Sequence, residues 1–172
     1  MWVQRGGWNY AQDGAHGPFQ TGATLLALFE ARDQGFDIPT DVVERALDAL
    51  SSGRHGETGA HAYSGRGIED MHASSARASI AELCLFRAGR SDVDELRRAV
   101  TGFFDGWPEL LKRKSQQDTH IGPYDSAPYC LFFGHTYAAL GVGYLPEART
   151  PEVEGTYARS SLAYTRRARG LE

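Results

Sequence analysis

What most limits the folds open to this chain is a pattern that comes twice at a fixed offset. Gly6-Gly7-Trp8-Asn9-Tyr10 reads as a tight aromatic turn, and Gly59-Ala60-His61-Ala62-Tyr63 repeats its first glycine and its tyrosine 53 residues on. Leu26, Ala27, Phe29 and Gly35 find Ile80, Ala81, Leu83 and Gly89 at 54, a shift that one inserted loop residue accounts for. Asp41, Val43, Arg45, Ala46 and Leu47 then find Asp94, Leu96, Arg98, Ala99 and Val100 back at 53. Similarity at a fixed period is the mark of stacked supersecondary units, none of which can bury its apolar face alone.

Within each unit the apolar spacing predicts helices. Pro18 suits a first helical turn, where its missing amide proton needs no partner, and Phe19, Ala23, Leu26 and Phe29 follow at helical spacing to a stop at Gly35. A second helix is expected over residues 40–50, capped by Thr40, with Val43, Ala46, Leu47 and Leu50 as its buried stripe. The short connection 35–39 makes this pair an antiparallel hairpin. The second unit reads the same way. A helix over 71–89 carries Ser74, Ala78 and Ala81, small enough for a neighbouring backbone to come close. Another starts at a Ser91 cap and runs through Val93, Leu96, Val100, Phe103 and Trp107, with Pro108 expected to kink or restart it near Gly106. A third unit opens at His120-Ile121-Gly122-Pro123-Tyr124, and its helix over 126–145 has an aromatic stripe (Tyr129, Phe133, Tyr137, Leu140, Tyr144) beside a thin one (Cys130, Gly134, Ala138, Gly141). A weaker helical period covers 152–168. The reading is one all-α domain over 1–146, with units at about 6–53, 59–115 and 120–146 onward, and a poorly defined segment at 147–172.

Composition narrows the function classes. With 41% hydrophobic and 23% charged residues, 172 residues can close a core as one domain. A net charge of −4 and scattered basic residues argue against nucleic acid; the cluster Arg166-Arg167-Arg169 reads as a solvated terminus. No apolar run is long enough to span a membrane, and Met-Trp-Val-Gln-Arg does not open a secretory leader, so a cytoplasmic protein is expected. Cys84 and Cys130 fall inside apolar helical runs and read as buried free thiols rather than a disulfide.

Gly6-x-Trp8, the run Gly-Pro-Phe-Gln-Thr-Gly at 17–22, and helical hairpins near 53 residues apart together resemble the prenyltransferase and squalene-oxidase repeat family. That family builds an α/α toroid, an inner ring of helices inside an outer one, with a Gly-x-Trp turn leading into each inner helix. The resemblance covers about residues 4–146 and implies inner helices starting near 18, 71 and 126, outer ones near 40 and 91, and an arc of three hairpins. Two departures stand out: Trp2 holds the place of the family's glutamine, and His61 replaces the tryptophan of the second turn. A closed ring needs about twice these hairpins, so the arc implies either a fragment or self-association.

The chemistry of this fold can be checked residue by residue. Terpene cyclases of the family protonate polyenes with Asp-x-Asp-Asp, and Asp92-Val93-Asp94-Glu95 is a near match, but it falls at an outer-helix start where carboxylates complement the dipole. The protein prenyltransferases hold zinc with Asp, Cys and His. Asp125, Cys130 and His135 are five residues apart in turn, about 140° around a helix, so their side chains diverge. His120 with Asp118 reads as solvated loop, and His135 beside Leu131, Ala138 and Ala139 as a core histidine. No serine-hydrolase elbow or phosphate loop is present. The expectation is therefore a binding or scaffold module without catalytic residues, metal or cofactor, taking an apolar small molecule or a protein partner. Trp8, Tyr10, Phe19, Tyr63, Tyr124 and Tyr129 are its candidate ligand-binding residues. The alternative is a piece of a terpene cyclase or prenyltransferase-like enzyme whose catalytic residues lie outside this chain.

Overall fold

In the computed structural model, residues 6–10, 16–63, 70–114, 116–118, 124 and 126–146 are described. The fold over them is all-α, with five helices: α1 (Pro18–Asp33), α2 (Thr40–Ser52), α3 (Met71–Arg87), α4 (Val93–Arg113) and α5 (Tyr129–Val142). Among the described residues no strand forms; an isolated bridge joins Arg54 and His61. The period at 152–168 lies outside the described residues, as do His120 and Gly122-Pro123 of the third turn.

The repeat is visible as repeated atoms. Gly6 and Gly59 both take positive φ, +97° and +72°, a conformation that strains residues with a Cβ. Beyond each glycine a helix hydroxyl grips the turn through both of its backbone groups. Thr21 Oγ1 accepts from the Trp8 N–H at 2.9 Å and donates to the Trp8 carbonyl at 3.0 Å. Fifty-three residues on, Ser74 Oγ accepts from the His61 N–H at 2.7 Å and donates to the His61 carbonyl at 3.2 Å. The glycines let the chain turn, and the hydroxyl clamp ties the residue two further on to the helix that follows.

α3 is the centre of the fold, packing on α1, α2, α4 and α5. Twelve of its residues, Ser74 through Leu85, are buried in sequence, as a helix covered on all sides requires. One core cluster joins Leu25 and Phe29 of α1 to Val43, Leu47 and Leu50 of α2 and Ile80, Cys84 and Leu85 of α3. A second joins Phe19 and Ala76 to Phe103 and Leu110 of α4 and Cys130, Leu131 and Ala138 of α5. The thin stripe of α5 makes its close approach: a Cβ at Gly134 would lie 2.9 Å from the Ala76 Cα and 2.8 Å from the Phe103 ring. Ion pairs fasten the rim, with Arg87 reaching Glu30 at 2.6 Å and Asp33 at 3.0 Å, and Arg90 reaching Asp48 at 2.6 Å.

Several local expectations change. α4 runs unbroken through Pro108, because Phe103, Gly106 and Leu110 are held in the core on both sides of it. Its cap is Asp92, which accepts from the amides of Asp94 and Glu95 at 3.0 and 2.9 Å, leaving Ser91 free to donate to Glu82. Thr40 is the first residue of α2 rather than its cap, a place held by Pro39. His135 is exposed rather than buried, its ring parallel to Phe103 at 6.3 Å and edge-on to Trp107 at 5.5 Å.

Candidate functional site

Four of the six candidate aromatics converge. Phe19, in the first turn of α1, is buried, and its ring meets Tyr63 at 6.4 Å, Tyr129 at 6.2 Å and Phe133 at 4.4 Å, all edge to face. The hydroxyls of Tyr10 and Tyr63, repeat counterparts 53 residues apart, lie 2.9 Å from each other. Arg77 of α3 sets its guanidinium 5.6 Å from the centre of the Tyr63 ring. Burial, and after it hydrogen bonding with Tyr10 and Tyr129, raises the Tyr63 pKa, and burial raises that of Tyr129. Both phenols therefore stay neutral at physiological pH, fit to hydrogen-bond but not to act as phenolate bases.

Two candidates stand apart. Trp8 packs half-buried on the α1–α2–α3 core, and Tyr124 stacks on His72 with ring centres 5.5 Å apart. Both come from turns, as expected, but a turn residue can face either the core or its own helix start. The sequence pattern does not distinguish the two.

The converged group encloses little space. The cleft between Phe19, Tyr63, Arg77 and Cys130 leaves about 10 Å³, room for one water at most, whereas small-molecule sites are of the order of 300 Å³ or more. Next to it the surface is open and apolar. On α5, Tyr129 is 43% exposed, Phe132 63% and Leu140 49%, and the helix carries no charged residue.

A second group was not foreseen. His61 and Glu82, each with a side chain 1% exposed, meet at 2.7 Å from Nε2 to Oε1. Arg54 places Nε 2.8 Å from the same oxygen and pairs through Nη2 with Glu95, while Ser91 donates to Glu82 Oε2 at 2.6 Å. Arg77 Nε donates to the His61 carbonyl at 2.7 Å. Burial alone would raise the Glu82 pKa; hydrogen bonds and charge from His61, Ser91 and Arg54 outweigh it and bring the pKa below the ordinary carboxylate value. An ionised Glu82 accepts, so Nε2 of His61 carries the proton, and its buried Nδ1 has no partner. The sequence did hold a signal. His61 stands where the first unit has Trp8, and Glu82, at the offset of 54 that relates α3 to α1, where it has Leu28, so one apolar pair of places becomes a hydrogen-bonded pair.

The catalytic near-matches are occupied with structural work. Asp92 caps α4, Asp94 pairs with Arg97, and Glu95 pairs with Arg54 and, at 2.8 Å, Arg98. Cys130 is buried while His135 faces solvent, and Asp125 lies outside the described residues. Among the described residues no three His, Cys, Asp or Glu side chains come together as metal ligands would, and no helix is long and apolar enough to cross a membrane. Compared with known proteins, the chain matches no family model, no curated protein and no solved structure.

Proposed function

We propose that this chain is a non-catalytic helical-repeat module, an arc of the prenyltransferase and squalene-oxidase toroid type, that works by docking a second copy of itself along α5. The observation that carries the reading is the exposed apolar strip Tyr129, Phe132 and Leu140 on a helix without charge. Large apolar side chains gathered on an exposed helix face, here with Thr136 and His135 among them, mark a surface that another partner can cover.

The repeat sharpens the point. Gly22 lies against Ile80 and Ala76 against Gly134, the same separation of 58 in both, so α5 follows α3 as α3 follows α1, 54 residues on. Counted back by 54, the exposed positions 129 and 132 are Ser75 and Ala78, both buried, and 140 is the half-buried Phe86. α4 covers that side of α3: Gly106 sits on Ser75, and Ser79 donates to the Ala99 carbonyl at 3.2 Å. α5 thus presents a seat shaped for another helix. Because the strip is uncharged, two copies can pair α5 against α5 across a two-fold axis without like-charge contact. The cleft beside Tyr63 is too small for an apolar ligand such as an isoprenoid.

Sedimentation of the full chain against concentration tests the reading. The expected result is a dimer that Phe132→Glu converts to a monomer of unchanged helicity. A wild-type chain that stays monomeric at all concentrations removes the proposal, and saturable binding of an isoprenoid alcohol to that monomer would favour the ligand version. The enzymatic alternative, whose catalytic residues would lie outside this chain, draws no support from the near-match motif, since Asp92 caps α4 and Asp94 and Glu95 are ion-paired.

A further inference from the structure

His16 and His61 are both buried, and each has one ring nitrogen without a partner, Nε2 on His16 and Nδ1 on His61. Such atoms are rare in native interiors and costly. His16 precedes α1; Gly7 of the first turn packs on its Cβ, and its ring lies against Gly53 at the end of α2. Gly53 in turn accepts, through its carbonyl, the Ala62 N–H at 2.8 Å, while Arg54 bridges His61. The His16 ring is thereby wedged behind the loop that presents Tyr63.

We infer that His16 is a proton-operated latch: neutral, it lets the 53–63 loop close over it, and protonated, it loosens that loop and withdraws Tyr63 from the tyrosine cluster. A metal ion is a poorer reading of the same pair, since only two ligands are present and Arg54 already brings a cation to the group. Burial favours the neutral ring of His16. Among the described residues, His61 lies near it, and behind His61 stand Arg54, Glu82 of α3 and Glu95 of α4; Gly7 and Gly53, against its side chain, bring no charge. Burial, and then the proximity of His61, lowers its pKa below the free value. A depressed histidine pKa costs nothing above about pH 6.5, where both folded and unfolded rings are neutral. Below it the unfolded ring takes a proton that the folded one refuses, and loop stability falls. This does not depend on what docks against α5.

The test is amide exchange of the full chain between pH 7.5 and 5.5, corrected for intrinsic rates. The His61 and Ala62 amides, bonded to Ser74 and Gly53, report the loop, and α4 serves as the reference. The expected result is protection that falls with pH in this loop before it falls in α4, and that His16→Gln renders pH-independent. Loop protection that stays constant in the wild type, or falls equally in the variant, overturns the inference. Should His16→Gln fail to fold, an NMR titration of the wild-type His16 ring decides: a midpoint below about 6.5 supports the latch, and one at or above it refutes it.

Discussion

Removing the clamp hydroxyl in each unit gives two stability losses whose order the structure fixes. Thr21→Val and Ser74→Ala each delete a hydroxyl that serves one backbone N–H and one carbonyl. The carbonyls keep other donors: the Gly17 N–H reaches the Trp8 carbonyl at 2.9 Å, and Arg77 Nε reaches that of His61 at 2.7 Å. Each variant therefore orphans one amide, and an unsatisfied buried donor costs about 1–3 kcal/mol. The two amides differ in burial. Trp8 is only half-buried and can recover water, which places Thr21→Val near about 1 kcal/mol; His61 is sealed, which places Ser74→Ala near about 2–3 kcal/mol. Urea unfolding at pH 7.5, followed by far-UV circular dichroism, measures both through the midpoint and slope. Thermal midpoints should fall by about 2–4 °C per kcal/mol. A larger loss for Thr21→Val than for Ser74→Ala, or losses under about 0.5 kcal/mol for both, would refute the clamp as the element that seats the turns.

Three further outcomes can be checked on the same protein. Gly134→Ala should destabilise by about 1–3 kcal/mol in urea, because its Cβ would press on the Ala76 Cα, which is backbone and cannot swing aside. Glu82 has a folded pKa below its free value, so its stabilisation is complete above about pH 4.5 and is lost as pH falls from there toward the folded pKa; acid unfolding midpoints should show a loss that Glu82→Gln lacks, with the variant already weaker at pH 7. Burial raises the pKa of Cys84 and Cys130, so Ellman's reagent should find no fast-reacting thiol in the native protein and two in urea; one fast thiol at neutral pH would contradict the packing of α1 on α3 or of α5 on α4.

The helices were legible because their signals are local. Apolar spacing and terminal Gly and Pro residues depend on neighbours within one turn, and the amphipathic stripe of α4 from Leu96 to Trp107 is plain in the residue order alone. Where the reading slipped, a distant contact had outweighed a local rule. Pro108 disfavours a helix interior, yet buried Phe103 and Leu110 hold α4 straight through it. His135 sits among apolar residues in sequence but on the open side of α5 in space.

By itself, the order of residues determined a repeating all-α chain, the approximate place of each of its five described helices, and the glycine-led turns with their 53-residue period, because each of these rests on chain geometry and on contacts within a unit. Only the tertiary structure decided which turn aromatics meet: Tyr10 and Tyr63 touch because two units stack, while Trp8 turns into its own core. It alone paired His61 with Glu82, 21 residues away, and set His16 behind them. Both outcomes depend on how units lean on one another, and that angle is fixed by burial and hydrogen bonding between segments that the linear pattern keeps apart.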